Sequence, residues 1–139
     1  MMIAGAPELS DSVREIAKEC GVEFEDEGTF VVDHFNFDKS DFDGDHTLIV
    51  GDNLLHNATI VTGKPSAPVL FRGVGHTLEK GNALLLPVLR ASATAYSASE
   101  KSDLSSGAKG KELLLISALQ ARNNARVTFV GSLEFLSDK

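Results

Sequence analysis

Residues 112–139, ELLLISALQARNNARVTFVGSLEFLSDK, constrain the fold more than any other part of this 139-residue chain. Leu113 to Leu119 is an almost unbroken apolar run of strand length, and Arg126 to Gly131 is a second run rich in β-branched and aromatic residues. Between them Gln120 to Asn124 is polar and ends in two asparagines. Asparagine tolerates the positive φ that tight turns require, so Asn123-Asn124 predicts a hairpin. Leu113, Leu115 and Leu119 alternate with Leu114, Ile116 and Ala118, so both faces of the first strand are apolar. Such a strand sits inside a sheet covered on both sides. After Gly131, Ser132 can cap a helix on which Leu133 and Leu136 lie three apart. The pattern predicts a layered α/β core with this hairpin at its centre.

The chain length suits one domain that buries about two-thirds of its unfolded surface. Its 13 Lys+Arg against 20 Asp+Glu give a formal charge of −7. Nucleic-acid partners need basic patches that displace counterions, and anionic lipid attracts the same patches, so both are excluded as expectations. A single cysteine, Cys20, rules out an internal disulfide framework. No apolar run approaches the roughly 20 residues that span a bilayer. The start, MMIAGAPELSD, lacks the basic region of a signal peptide, so the chain reads as soluble and without a targeting signal of its own.

Met2 to Ala6 reads as a short buried strand entering a turn at Pro7. Val13, Ile16, Ala17 and Cys20 fall at i, i+3, i+4 and i+7, which predicts a helix from Asp11 to Cys20 with one apolar face. Ser12 with Glu15 fits a capping box, Ser10 is an equal alternative, and Gly21 supplies the left-handed stop. Thr29 to Val32, Thr47 to Val50, Thr59 to Val61 and Val69 to Phe71 read as strands, and Leu54 to Asn57 as one helical turn. Leu84 to Leu89 contains Pro87, which cannot donate to a ladder, so an edge strand or a bulge is expected. Ala91 to Ala98 suits strand or packed loop, and Ser99 to Lys111 the most exposed loop.

Asp33 to Asp45, DHFNFDKSDFDGD, is acidic but carries Phe35, Phe37 and Phe42, so an ordered loop anchored by aromatics is expected. It also holds the densest set of metal-ligand types: Asp33, His34, Asp38, Asp41, Asp43 and Asp45, with His46 next to it. A calcium loop with Gly44 at its sixth position would begin on Lys39 and end on Val50, so that pattern fails at both ends. The stretch reads as a structured acidic loop. Gly73-Val74-Gly75 lacks the third glycine of a dinucleotide fingerprint, and neither a phosphate loop nor a nucleophile elbow occurs. Cys20, at the negative pole of its helix, reads as a packing residue. His34, His46, His56 and His76 have no serine or cysteine partner at a recognisable spacing. Arg72, Arg122 and Arg126 could bind an anion or simply cover strand ends. Asn57-Ala58-Thr59 fits the N-glycosylation triplet, a pattern common by chance.

Taken in order, ECGVEFEDEGTFVVDHFNFD, DHTLIV, NLLHNATIV, PVLFRGVGHTLE and above all LLISALQARNNARVTFVGSLEFLSD resemble the family of 48 kDa subunits of the oligosaccharyltransferase complex. The likeness runs from about Asp11 to Lys139 and departs at Lys80 to Leu86 and Ser99 to Lys111. It implies a place on the lumenal side of the endoplasmic reticulum membrane. There the complex transfers a glycan from a dolichol-diphosphate carrier to asparagines of nascent proteins. Family members are accessory subunits with no catalytic residues to carry over, no cofactor and no metal. The resemblance also implies that residues 1–139 are one domain, the later part of a larger lumenal α/β domain, with membrane attachment only through regions outside this chain.

Residues and resemblance together predict an incomplete, layered, Rossmann-like α/β fold of the flavodoxin or class I amidotransferase kind. Its sheet is mixed, with an antiparallel hairpin near the C-terminus. The leading functional expectation is a non-catalytic structural subunit whose partners are other subunits of the complex. The second is a module that contacts the donor diphosphate or glycan of dolichol-linked oligosaccharide, and the third an independent α/β enzyme. The candidate partner or ligand contacts are Asp33, His34, Asn36, Arg72, His76, Arg122, Asn123 and Asn124.

Overall fold

The structure, a computed structural model, describes residues 1–40, 44–55, 67–99 and 107–137. In chain order its elements are β1 (Met2–Ala4), α1 (Asp11–Glu19), β2 (Val22–Phe24), β3 (Thr29–Val32), β4 (Ile49–Gly51) and β5 (Asn53–Leu54). They continue as β6 (Val69–Phe71), β7 (His76–Leu78), β8 (Leu85–Arg90), β9 (Tyr96–Ser99), β10 (Leu114–Gln120) and β11 (Arg126–Val130). Single 3-10 turns occupy Gly110–Glu112 and Glu134–Leu136.

The asparagine pair does make the hairpin. β10 and β11 run antiparallel, with Ile116 opposite Val130 and Gln120 opposite Arg126. Ala121 N–H donates to Ala125 O at 2.8 Å, and Asn124 takes the left-handed conformation at φ 62°. Asn123 Oδ1 accepts from Ala125 N–H at 3.1 Å and locks the turn. Residues 113–118 are all buried, as a strand apolar on both faces requires.

Both edges of β10 are paired, by β11 on one side and by β8 on the other. Pro87 of β8 faces Ser117 where the register slips, so the proline expectation resolves to a bulge. β1 lies parallel to β11, with Met2 opposite Thr128, and as the end strand of the sheet it is not the buried strand expected: Met2 is exposed and Ile3 and Ala4 half-buried. Past Val130 the chain swings away, and His76 of β7 takes the place opposite Leu114; β2 follows on the far side of β7. The handover needs two glycines. A Cβ on Gly73 would lie 2.0 Å from Gly131 O, and one on Gly131 would lie 1.8 Å from Val74 O. The backbones cross in contact there, joined by Val74 N–H to Gly131 O at 2.8 Å.

The seven-stranded sheet therefore runs β1-β11-β10-β7-β2, with β8 and then β5 added at β10. Among the described pairings of this sheet only β1 with β11 is parallel, so it is mixed. Two buried clusters flank it. One gathers Ala17, Val22, Phe24, Val74, Val127 and Phe129, with Val13 and Cys20 of the α1 region packed against them. The other gathers Val31, Ile49, Phe71, Leu89, Leu113, Leu115 and Val130. Its cover is not helical: it comes from two small antiparallel sheets, β3 with β9 and β4 with β6. Among the described residues α1 is the one α-helix, so the second layer expected as helix is built from strands.

Several local expectations shift. Ser10 occupies the N-cap of α1, yet its hydroxyl makes no capping bond; its carbonyl instead accepts Val13 and Arg14 N–H at 3.1 Å. Ile16 lies at the margin of the apolar face, 50 % exposed. Gly21 ends the helix at φ 82°, as expected. Leu54 belongs to a strand opposite Leu89 rather than to a helical turn, because the edge of β8 offers it ladder partners. The stretch from Ala91 to Ala98 resolves into a loop and then β9. Ser132 Oγ accepts Phe135 N–H at 3.2 Å, but what it caps is one 3-10 turn. The strand expected at Thr59 to Val61 and the triplet at Asn57 lie outside the described residues.

Candidate functional site, a locked corner at Asp33

The end of β3 delivers Asp33 to a corner where three loops meet. Asp33 is 1 % exposed and its carboxylate is saturated with donors. Oδ1 accepts the backbone N–H groups of Phe35 and Asn36 at 3.0 and 3.1 Å, an Asx turn that folds the chain back on itself. Asn36 Nδ2 donates to Oδ2 at 3.1 Å, and Thr94 Oγ1 lies 2.8 and 2.9 Å from the two oxygens. Ser92 Oγ donates to Oδ2 as well. Burial by itself pushes the Asp33 carboxyl upward. The hydrogen bonds from Ser92, Phe35 N–H, Thr94 and Asn36 outweigh it and hold the group below the ordinary carboxylate range.

Residues 36–38 then run beside 48–50. Val50 N–H donates to Asn36 O and Asp38 N–H to Leu48 O, both at 2.8 Å. Asp38 Oδ1 accepts from the hydroxyl and N–H of Ser40, which lowers its pKa. Phe37 bridges to Ile49 and stacks on the His46 ring, centroids 3.9 Å apart. Phe35, expected to anchor the loop, is instead 80 % exposed, since the Asx turn points it away from the core. Phe42 lies outside the described residues.

His34 and His46, distant in sequence, meet on the surface of this corner. Their Nδ1 atoms are 2.5 Å apart, and His34 Nε2 is 2.7 Å from the Tyr96 hydroxyl. His46 is held at φ 60°, and its carbonyl accepts Asp33 N–H at 3.2 Å. Asp33, His34 and Asn36 of the sequence candidates are thus brought together. Ser92, Thr94 and Tyr96 complete the corner, and nothing local in the sequence marks them.

The remaining candidates are placed apart. Arg72 stands at a groove of about 650 Å³ bordered by Leu70, Leu133 and Phe135, its Nη1 4.0 Å from Glu134. Arg122, Asn123 and Asn124 are exposed on the hairpin turn, at the opposite end of β11 from the Gly131 crossing beside Arg72. The five residues of β11 hold these two places roughly 16 Å apart by strand rise. His76 is fully buried, its ring 5.2 Å from that of Phe24 and its Nε2 2.7 Å from Ser117 Oγ. Burial pushes His76 down to about 3, so it stays neutral. A histidine and a serine do pair here, across 41 positions, but both are 0 % exposed and serve the core. Among the described residues no group of three or more His, Cys, Asp or Glu is placed to hold a metal. Among them, too, no helix is long and apolar enough to cross a membrane.

Fold and site together define a mostly β module with one described helix: a mixed sheet as scaffold and a hydrogen-bonded loop corner as its most elaborated surface. A family model described as OST48, N-terminal domain, matches residues 1–139, and the chain belongs to that family. It is 50 % identical over 143 residues to the dolichyl-diphosphooligosaccharide–protein glycosyltransferase 48 kDa subunit of Danio rerio, a match covering 99 % of this chain and 32 % of that protein. The Arabidopsis thaliana protein of the same name is 48 % identical, over 100 % of this chain and 33 % of its own length. The Caenorhabditis elegans one is 43 % identical, over 99 % and 32 %. The chain thus spans about a third of the length of the curated relatives it matches.

Proposed function

We propose that this chain is part of a non-catalytic accessory subunit of the oligosaccharyltransferase complex. It supports transfer of a dolichol-linked oligosaccharide to asparagine from the lumenal side of the endoplasmic reticulum membrane. The observation that carries the reading is identity of 43 to 50 % with three proteins named as the 48 kDa subunit, over nearly all of this chain. The role is architectural. A sheet packed on both faces holds the Asp33 corner rigid, and the corner presents Phe35 and Lys39 to a neighbouring subunit. In the whole subunit these residues form the later part of a larger Rossmann-like domain, a reading supported by the parallel β1–β11 pair. The architectural role is favoured over donor binding by the placement of Arg72 and Arg122 at opposite ends of β11 and by a His76 with no exposed surface.

The test is assembly. Phe35→Ala and Lys39→Glu, placed in the full-length subunit, should leave its thermal unfolding unchanged and reduce recovery of the other subunits on co-purification. Recovery at parental levels for both variants would remove the corner as a contact surface. Turnover of donor and acceptor peptide by the isolated chain would overturn the non-catalytic reading.

A further inference from the structure

We propose that His34 and His46 form a surface site for a divalent transition-metal ion, of the kind taken by imidazole nitrogen rather than carboxylate oxygen. The two Nδ1 atoms face each other at 2.5 Å, with the rings nearly perpendicular at 79°. Between two neutral imidazoles so placed only one nitrogen can carry the proton, and the other offers a lone pair. An ion can take that proton's place. Zinc binds imidazole nitrogen at about 2.0–2.1 Å, so a tetrahedral ion requires the Nδ1 atoms to part to roughly 3.3 Å, an opening of under about 1 Å.

Both rings are already held in place. The His34 ring is fixed from behind by the Tyr96 hydroxyl on Nε2 at 2.7 Å, the outer-shell partner that a ligating histidine ordinarily requires. For both Nδ1 atoms to bind the ion, each ring must carry its proton on Nε2, and on His34 that N–H then donates to the Tyr96 hydroxyl oxygen. The His46 ring is stacked on Phe37 and its backbone is tied to Asp33. His34 is exposed and His46 half-buried, so a hydrated ion reaches both. No third His, Cys, Asp or Glu joins them among the described residues, so water fills the remaining positions and the ion stays exchangeable. Nitrogen ligands select zinc, nickel or copper; calcium and magnesium require oxygen.

The experiment is titration of the chelator-treated 139-residue chain with zinc chloride by calorimetry, with imidazole nitrogen NMR in parallel. Saturable one-to-one binding is expected, with both rings protonated on Nε2 in the zinc-bound form and with calcium chloride giving no heat. His34→Gln and His46→Asn should each weaken binding by about tenfold or more; asparagine keeps the positive φ at position 46 available. Tyr96→Phe, which leaves both ligands and the fold in place, should weaken it by roughly tenfold. Absence of saturable zinc binding, parental affinity in either histidine variant, or equal binding of calcium would each overturn the site.

Discussion

Asp33 and His76 are buried polar residues that solve the same problem in opposite ways. Asp33 keeps its charge because five donor groups surround it, two of them Ser92 and Thr94 from 59 and 61 positions away. His76 loses its charge because Ser117 is the hydrogen-bond partner it finds, and its Nδ1 has none. Both choices carry a pH signature. An unfolded histidine binds a proton near pH 6.5, whereas folded His76 stays neutral down to about 3. As pH falls below 6.5 the unfolded state therefore takes up the proton first, and stability drops by up to about 1.4 kcal/mol per unit. His76→Gln, which can still bond Ser117, should flatten the profile of unfolding free energy between pH 6.5 and 4.5. Equal slopes in parent and variant would show that the buried imidazole is not the source. Asp33 acts lower down: its folded carboxyl is held below the ordinary value, so its contribution is complete above about pH 4 and is lost as pH falls through the folded value. Asp33→Asn should cost about 2–3 kcal/mol at pH 7, since an amide cannot accept on its nitrogen and strands buried donors. The sequence predicts an ordered loop anchored by its phenylalanines, yet among the described residues Phe37 packs within it and Phe35 does not. The sequence does not show what orders the loop, because the donors lie on a loop some sixty residues on.

Among the elements, the hairpin and α1 are legible because their signals are local: an asparagine pair between apolar runs, and a four-residue stripe ended by glycine. The crossing of Gly73 and Gly131 is not. Each glycine sits in an ordinary-looking context, Gly-Val-Gly after an arginine and Val-Gly-Ser after a strand, and the reason for both is the partner backbone. A local reading takes Gly73 for a backbone-geometry residue in a flexible or tightly turned connection, and the structure supplies the geometry: two backbones in contact. Substitution tests that contact. At Gly131 a methyl group would meet Val74 O at 1.8 Å, and backbone cannot move aside as a side-chain end can. Gly131→Ala should therefore cost about 3 kcal/mol or more, by parting β7 from the hairpin. Leu115→Ala, which empties a fully buried position in β10 but keeps the carbonyl that accepts Gly131 N–H, should cost about 2–5 kcal/mol and leave the β7 pairing intact. Chemical denaturation with amide NMR would distinguish them: chemical-shift changes confined to the neighbours of position 131, with parental stability, would mean the crossing can open at little cost.

For the molecule as a whole, the apolar pattern of Leu113 to Leu119 reveals that β10 is covered twice, yet not by what. Two-strand covers such as β3 with β9 join segments some seventy positions apart, and pairing at that range leaves no periodicity to read. The consequence is an unequal pair of layers. On one side the cluster of Val31, Ile49, Phe71, Leu89 and Leu113 is sealed by strands hydrogen-bonded to one another. On the other the lid is α1, nine residues long and too short to hold helical structure without its contacts. Of α1 itself only Ala17 is fully buried, with Val13 half-buried and Cys20 half-buried just past its end. Opening α1 therefore exposes little apolar surface, whereas opening β10 removes Leu115, Ile116 and Ala118 from one cluster and breaks the pairing with β11, β7 and β8. Native-state hydrogen exchange at low denaturant should find the amides of residues 114–118 exchanging only through global unfolding. Those of residues 15–19 should exchange through a partial opening at lower free energy and with smaller denaturant dependence. If both sets share one free energy and one denaturant slope, helix and sheet form a single cooperative unit. The rigid platform on which the Asp33 corner rests would then include α1.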